Sequence, residues 1–395
     1  MKIIWLMPEC PIPANTGGRV VEWNRLKELG RENEIYLFVT VDDSVEYQYK
    51  SRLLSVCREV HLYSRKKSFR LLLKSIRYPY PAVSRWNKSM LGDIDDCFKS
   101  ISPDSVIVEF PQMLGNLSPT VRENAKIVVN QHNIEHLAMQ SIGQHTNRLL
   151  KKLTYRFVAR QLEWYEGEQY KKTNVGLYTF VSESDKSYFE KKYDKCNTLL
   201  SPIGTNVINL NAAVHSKKIV FIAKMSYQPN ETGAIWFMNN VWQKVLDKIP
   251  DAELFIVGKN PSDKLIEISR KYTGITVTGT VESVEPFYED SAAVVVPILS
   301  GGGVKVKLIE GLGHGKIVIA TNKGIEGTEF RNRVHVLATD SSEEFAEFCI
   351  AAINDPGQFD SMRLEANKLM NEAYSWQGIM SVFEDQLRKI IEDED

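Results

Sequence analysis

Cysteine is scarce and scattered. The 395 residues hold five, Cys10, Cys57, Cys97, Cys196 and Cys349, with no C-x-x-C pair. Such an odd, dispersed set argues against a disulfide framework and predicts free or buried thiols in a reducing compartment. Long apolar runs are missing too. The run after Lys2 spans only Ile3 to Met7 before Pro8 and Glu9, so no secretory leader is expected. No stretch approaches the roughly 18 uninterrupted apolar residues of a membrane span. A cytoplasmic protein is expected, with a peripheral place at the inner face of the cell membrane left open. Metal-binding patterns are equally poor. There is no H-E-x-x-H and no Cys/His cluster, and the D-x-D pair Asp93 and Asp95 lies in a helical stretch, where the two do not face together. No G-x-S-x-G elbow, no G-K-[ST] phosphate loop and no G-x-G-x-x-G over Gly301 to Leu308 is present. Nucleophilic triads, P-loop chemistry and dinucleotide binding therefore lack support. Neither a metal nor another cofactor is expected, and no nucleic-acid partner.

What is present is ordinary in bulk and uneven in detail. Hydrophobic residues make up 43% and charged residues 25%, as in a globular protein of about two domains. The net charge of -1 hides a division: residues 1–200 carry 30 Lys+Arg against 23 Asp+Glu, and the remainder 19 against 27. The second half must then bind any phosphate by local geometry and not by bulk field.

Strands are predicted at Lys2 to Met7, Ile35 to Val41, Val60 to Tyr63, Ser105 to Glu109, Lys126 to Asn130 and Gly176 to Val181, with helices between most of them. Periodicity lapses from Asn197 to Lys217, which marks a boundary. Strands resume at Ile219 to Ala223, Leu254 to Val257, Ile275 to Thr278, Ala292 to Val296, Ile317 to Ala320 and Val334 to Leu337. The alternation predicts an α/β protein of two doubly wound parallel-sheet domains, with ligand in the cleft between their carboxyl edges. Two helical stretches stand apart. Ser64 to Pro81 is basic and amphipathic, which leaves open contact with an anionic bilayer beside an ordinary solvated face. Arg148 to Lys172 is long, and its Leu, Tyr and Trp residues are expected to cover a sheet face.

The most informative stretch is Ala292 to Thr321, AAVVVPILSGGGVKVKLIEGLGHGKIVIAT. It reads as strand, glycine loop, helix and strand. Gly301, Gly302 and Gly303 would let backbone N–H groups approach a phosphate at the helix N-terminus. Lys307, Glu310 and His314 fall at i, i+3 and i+7, hence on one face, with Lys307 placed for phosphate and Glu310 for ribose hydroxyls. Lys224, after the first strand of the second half, would add a second phosphate charge, and Gly17 with Gly18 forms a glycine turn entering the first helix. His132 follows a strand end and suits a sugar hydroxyl or proton transfer. Glu109 ends another strand as a base or an orienting group. His136 reads as a packing histidine.

These residues resemble retaining glycosyltransferases of the GT4 type, with the GT-B two-domain fold. The resemblance rests on IAKMSYQPNETGAIWF, AELFIVGKNP, ITVTGTVESVEPFY, the glycine stretch and KGIEGTEF in the family's order. It extends to ANTGGRVVEW, QHNIEH, SPIGTNV and SWQGI. It implies an N-terminal acceptor-binding Rossmann-like domain over 1–200, a donor-binding one over 201–375 and a helix over 376–395 crossing back to the first. It also implies transfer of a sugar from a nucleotide diphosphate sugar to a glycan or lipid-linked acceptor in bacterial cell-surface glycan synthesis, with retention and without a metal. Glu310 matches the second glutamate of the family's E-x7-E element, and Gly302 stands where the first should be, as in a subgroup with a glycine-rich loop. Lys224 matches one basic residue of the phosphate pair. Pro229 occupies the other position, so Lys307 or Lys305 would substitute. His132 matches a histidine near the transferring sugar, and Gly17 with Gly18 a loop near the diphosphate. A nucleotide-sugar 2-epimerase of the same architecture and a non-catalytic sugar-nucleotide-binding subunit are the competing expectations.

Overall fold

The computed structural model describes residues 1–14, 17–42, 44–65, 69–144, 149–194, 196–208, 210, 213–301 and 304–392. The chain divides into two compact units: Met1–Pro202 with Ile379–Asp395, and Ile203–Gly378.

The first unit contains β1 (Lys2–Met7), β2 (Glu34–Val41), β3 (Glu59–Ser64), β4 (Ser105–Glu109), β5 (Ile127–Gln131), β6 (Val175–Phe180) and β7 (Thr198–Leu200). They pair in parallel in the order β3-β2-β1-β4-β5-β6-β7. Strand alternation explains the two-sided core. Ile3, Trp5 and Met7 of β1 enter one apolar cluster, whereas Ile4 and Leu6 enter another on the opposite face. Ile379, Met380, Phe383, Leu387 and Ile390, from the last helix Trp376–Glu392, belong to the first of these clusters.

The second unit contains β8 (Lys218–Ile222), β9 (Glu253–Val257), β10 (Ile275–Gly279), β11 (Ala293–Val296), β12 (Ile317–Ala320) and β13 (Leu337–Ala338). They too pair in parallel, in the order β10-β9-β8-β11-β12-β13. In each unit the strand order reverses at one point, between β1 and β4 in the first and between β8 and β11 in the second. Crossovers leave that point on opposite faces, so a crevice opens at its carboxyl end.

Four expectations need correction. Thr198–Leu200 is a strand, although it lies in the stretch read as a linker. The strand expected from Val334 shrinks to Leu337–Ala338, because Arg333 takes a φ of 59° and the chain turns at Arg331 to His335. Ser64 to Pro81 is not one helix. Its described part holds the end of β3 and the helices Phe69–Lys74 and Tyr80–Val83, since Pro79 cannot continue a helix. Lys66 and Lys67 of that stretch lie outside the described residues. The long helix Leu149–Lys171 does not cover a sheet face as expected: it packs on the helix Glu135–Gln144 and the turn Pro111–Asn116, and meets the sheet near its end, where Tyr170 touches Tyr178 of β6 and Gln131 of β5. Ala159, Leu162 and Tyr165 are buried, but Leu150, Leu153, Phe157 and Trp164 are exposed.

Candidate functional site

At the β1/β4 reversal of the first unit, polar side chains gather in an apolar setting. Glu109, the last residue of β4, is fully buried. Its Oε1 accepts from Trp5 Nε1 at 3.1 Å and Asn130 Nδ2 at 2.7 Å. Its Oε2 lies 2.8 Å from His132 Nε2. Asn130 is fixed in turn, its Oδ1 accepting from Thr179 Oγ1 at 2.7 Å. The His132 ring stacks on Phe110 with centroids 4.6 Å apart. Burial alone would push the Glu109 carboxyl up, but His132, Arg25 and Asn130 hold it below the usual carboxylate range. An ionised Glu109 can only accept, so Nε2 of His132 carries the proton and Nδ1 is the nitrogen left for another partner.

Sequence reasoning missed Glu22. It sits in the helix Gly17–Leu29, wholly buried, and neither carboxylate oxygen has a hydrogen-bond partner among the described residues. One ligand atom each of Glu22, Glu109 and His132 lies within 4.8 Å of the others. Burial, then the charge of Glu109, drives its carboxyl well above the ordinary value. A neutral acid facing an ionised one is thus the stable arrangement. Arg25, one turn on and equally enclosed, donates from Nη2 to the Ser201 carbonyl at 2.7 Å and its hydroxyl at 2.9 Å, and its charge acts on both glutamates. The cluster could hold a cation only beside that guanidinium, which makes it a poor metal site. A signal for Glu22 was available: it shares the helix stripe of Leu26 and Leu29, at i+4 and i+7. At the start of that helix Gly18 has open space where a Cβ would stand. Gly17 opens the helix. His136 is a packing histidine, bound to Glu166 at 3.0 Å and Tyr188 at 2.9 Å.

At the β8/β11 reversal of the second unit the glycine loop meets the loop after β8. Gly301 has a φ of 100°, and a Cβ there would stand 3.3 Å from both Pro229 Cγ and Tyr227 Oη. Gly302 and Gly303 lie outside the described residues. Lys224 is exposed on the loop after β8, its carbonyl accepting from Asn230 Nδ2 at 2.9 Å. The helix Val306–Gly313 follows the glycine loop with Lys305 as its N-cap. Lys305 is buried, and burial, outweighing the attraction of Glu326, lowers its pKa to about 8. Lys307 falls to about 8 through burial and the neighbouring Lys305 charge. Glu310, one turn on from Lys307, accepts from Tyr288 Oη at 3.2 Å through Oε2, leaving Oε1 without a hydrogen bond among the described residues. Burial raises the Glu310 carboxyl despite Tyr288 and Lys307. Tyr288 also stacks on His314 with centroids 4.3 Å apart, so His314 orients this group from the helix end. Tyr288 is the second residue sequence reasoning missed, since nothing in EPFYED distinguishes it from a core tyrosine.

The structure therefore brings Glu109 and His132 together in the first unit, and Gly301, Lys305, Lys307 and Glu310 along one loop and helix in the second, with the Lys224 loop against Gly301. A cavity of about 950 Å³ in the first unit is lined by Tyr78, Trp86, Arg122, Gln169 and Asn174. Asn174 immediately precedes β6, so this cavity opens at the amino edge of the sheet, away from His132.

Two parallel-sheet α/β units in one chain, each with its polar groups at a strand-order reversal, define a GT-B fold of two Rossmann-like domains. Residues 216–355 match the family model described as Glycosyl transferases group 1, and this match with the fold supports a glycosyltransferase. Among its relatives is a 44.6 kDa protein in the cps region of Klebsiella pneumoniae, 22% identical over 392 residues, 96% of this chain and 98% of the relative. A glycosyltransferase from Rickettsia africae is similar over 100% of this chain and 99% of its own, with 13% identity and a TM-score of 0.67. Anabaena Alr3699/HepE, solved with UDP and glucose, covers 98% of this chain and matches over 100% of its own, with 13% identity and a TM-score of 0.66. Among the described residues no helix is long and apolar enough to cross a membrane.

Proposed function

We propose that this protein is a retaining glycosyltransferase of the GT4 type that moves a sugar from a nucleotide diphosphate sugar to a glycan or lipid-linked hydroxyl in bacterial cell-surface glycan assembly. The observation that carries the reading is Glu310. Tyr288 holds one of its oxygens, the other has no hydrogen bond among the described residues, and Lys307 stands one turn away in the helix that follows the glycine loop. A carboxylate so held accepts ribose hydroxyls. Lysines and loop amides next to it take the diphosphate, whose negative charge grows as its bond to the sugar breaks. That growth is why such groups lower the barrier: they bind the departing diphosphate more strongly than the intact donor. Departing phosphate accepts the acceptor proton, so no second carboxylate is required as base, and no metal takes part. In the first unit His132, oriented by Glu109, hydrogen-bonds a sugar hydroxyl through Nδ1. The glucose and UDP in the Anabaena protein and the cps location of the Klebsiella relative support a nucleotide sugar and a surface glycan.

Calorimetry with UDP, GDP and ADP tests the grip. One of them binds the wild type, and Glu310→Ala weakens that binding by about 10- to 100-fold, the loss expected for hydrogen bonds to a charged group. Equal affinities in both proteins would refute the assignment. Incubating the matching nucleotide sugar with acceptors, and reading the anomeric configuration of the product by NMR, tests transfer and retention. Turnover without any acceptor would instead mark an epimerase.

A further inference from the structure

The first unit carries an apolar surface that none of the described residues covers. Leu150, Leu153, Phe157 and Trp164 are 81%, 52%, 52% and 46% exposed. Their spacings of three, four and seven keep them on one face of the helix Leu149–Lys171. A second segment lies beside it. Gln161 Nε2 donates to the carbonyls of Ser75 at 2.9 Å and Ile76 at 2.8 Å, and the Tyr78 ring sits 5.9 Å from that of Trp164. That segment presents Leu73 and Ile76, 59% and 70% exposed. Six large apolar side chains from two adjacent segments thus face solvent, more than singly scattered surface residues account for.

Their charged neighbours are of one sign. Lys74, Arg77, Arg156 and Arg160 are exposed around them, and none forms an ion pair among the described residues. Neither 64–81 nor 149–162 contains an Asp or Glu. Glu163, the first acid beyond, is engaged by Lys192 at 2.6 Å. Two copies of such a surface would set cation against cation, which disfavours self-association through it. An apolar row flanked by lysine and arginine without carboxylate partners among the described residues, with a tryptophan at its edge, is complementary to the boundary between headgroups and acyl chains of an anionic bilayer.

We propose that this face docks the protein on a membrane rich in anionic phospholipid, with Leu73, Ile76, Leu150, Leu153 and Phe157 entering the boundary layer and the four cations meeting headgroup phosphates. The proposal stands apart from the sugar-transfer reading, because it uses none of the residues assigned to the nucleotide.

Co-sedimentation of the full chain with vesicles tests it. Phosphatidylserine-containing vesicles should bind the protein at least about tenfold more tightly than pure phosphatidylcholine, with the difference collapsing at high salt. Phe157→Glu and Ile76→Glu should each abolish binding. Arg156→Ala combined with Arg160→Ala should weaken it by about fivefold per cation removed while leaving the apolar row intact. Thermal unfolding and nucleotide affinity should be unchanged in all of them, since these positions face solvent. Equal binding to both vesicle types, no binding to either, or retained binding in a folded Phe157→Glu variant would overturn the proposal. A wild-type dimer by light scattering that Phe157→Glu makes monomeric would overturn it as well, by assigning the face to a second copy.

Discussion

Glu22 shows how much one side chain reveals about its surroundings. A carboxyl whose value is raised on folding is penalised more as pH climbs from its unfolded value of about 4.3 toward its folded one, and is not penalised below both. Glu22→Gln removes the penalty and keeps the shape. The variant should therefore melt above the wild type at pH 7, with the gap closing toward pH 4, as calorimetric scans across pH would record. A less stable variant at pH 7 would mean that Glu22 is ionised and bonded. The lysines behave differently. Lys305 and Lys307, each held near 8 by burial, are charged below that pH and lose their protons above it. Nucleoside diphosphate affinity should then be full below about pH 8 and fall above it, by up to about tenfold per pH unit for each lysine. Folding stability runs the other way, rising from pH 8 toward the unfolded lysine value of about 10.4. Glu310, Lys307 and His132 were legible because strand ends and helix spacing reveal where a side chain falls. Tyr288 was not, because a buried polar partner on another element leaves no local pattern, and Glu22 was legible only as an acid on the stripe of Leu26 and Leu29, not in what it faces.

Elements were legible wherever apolar runs were continuous. β11 and β12 sit in the middle of a parallel sheet, buried on both faces, and their Val and Ile runs say so directly. The edge strand β7 and the two-residue β13 are short enough for turn residues around them to dominate. Close approaches between loops were invisible for the same reason: they depend on pairs far apart in sequence. Gly258, at the end of β9, has a φ of 145°, and a Cβ there would lie 1.8 Å from the Ala223 carbonyl oxygen. Gly258→Ala must displace the loop that carries Lys224. It should lower stability by about 3 kcal/mol or more, read by urea denaturation, and weaken nucleotide binding with it. Gly301→Ala is predicted to be milder, about 1–3 kcal/mol, because its φ is unfavourable but its neighbours stand at 3.3 Å.

For the whole molecule, the last helix matters out of proportion to its length. Five of its side chains, Ile379, Met380, Phe383, Leu387 and Ile390, are at most 9% exposed in the core of the first unit. At roughly 1.5–3 kcal/mol for each buried apolar side chain, their loss approaches the entire stability of an ordinary domain. A chain ended after Gly378 should be largely insoluble, or fully open to protease within residues 1–202, while 203–378 stays resistant. Protection of both parts would contradict this.

The division also sets an order of events during synthesis. Residues 203–378 are complete when Gly378 leaves the ribosome, whereas the first unit still awaits the helical residues from Ile379 onward. The half made first is finished last, so the sheet face that Ile379 to Ile390 fill, reached at β6 by Ile390 beside Gly176, must stay open to chaperones until those residues have emerged.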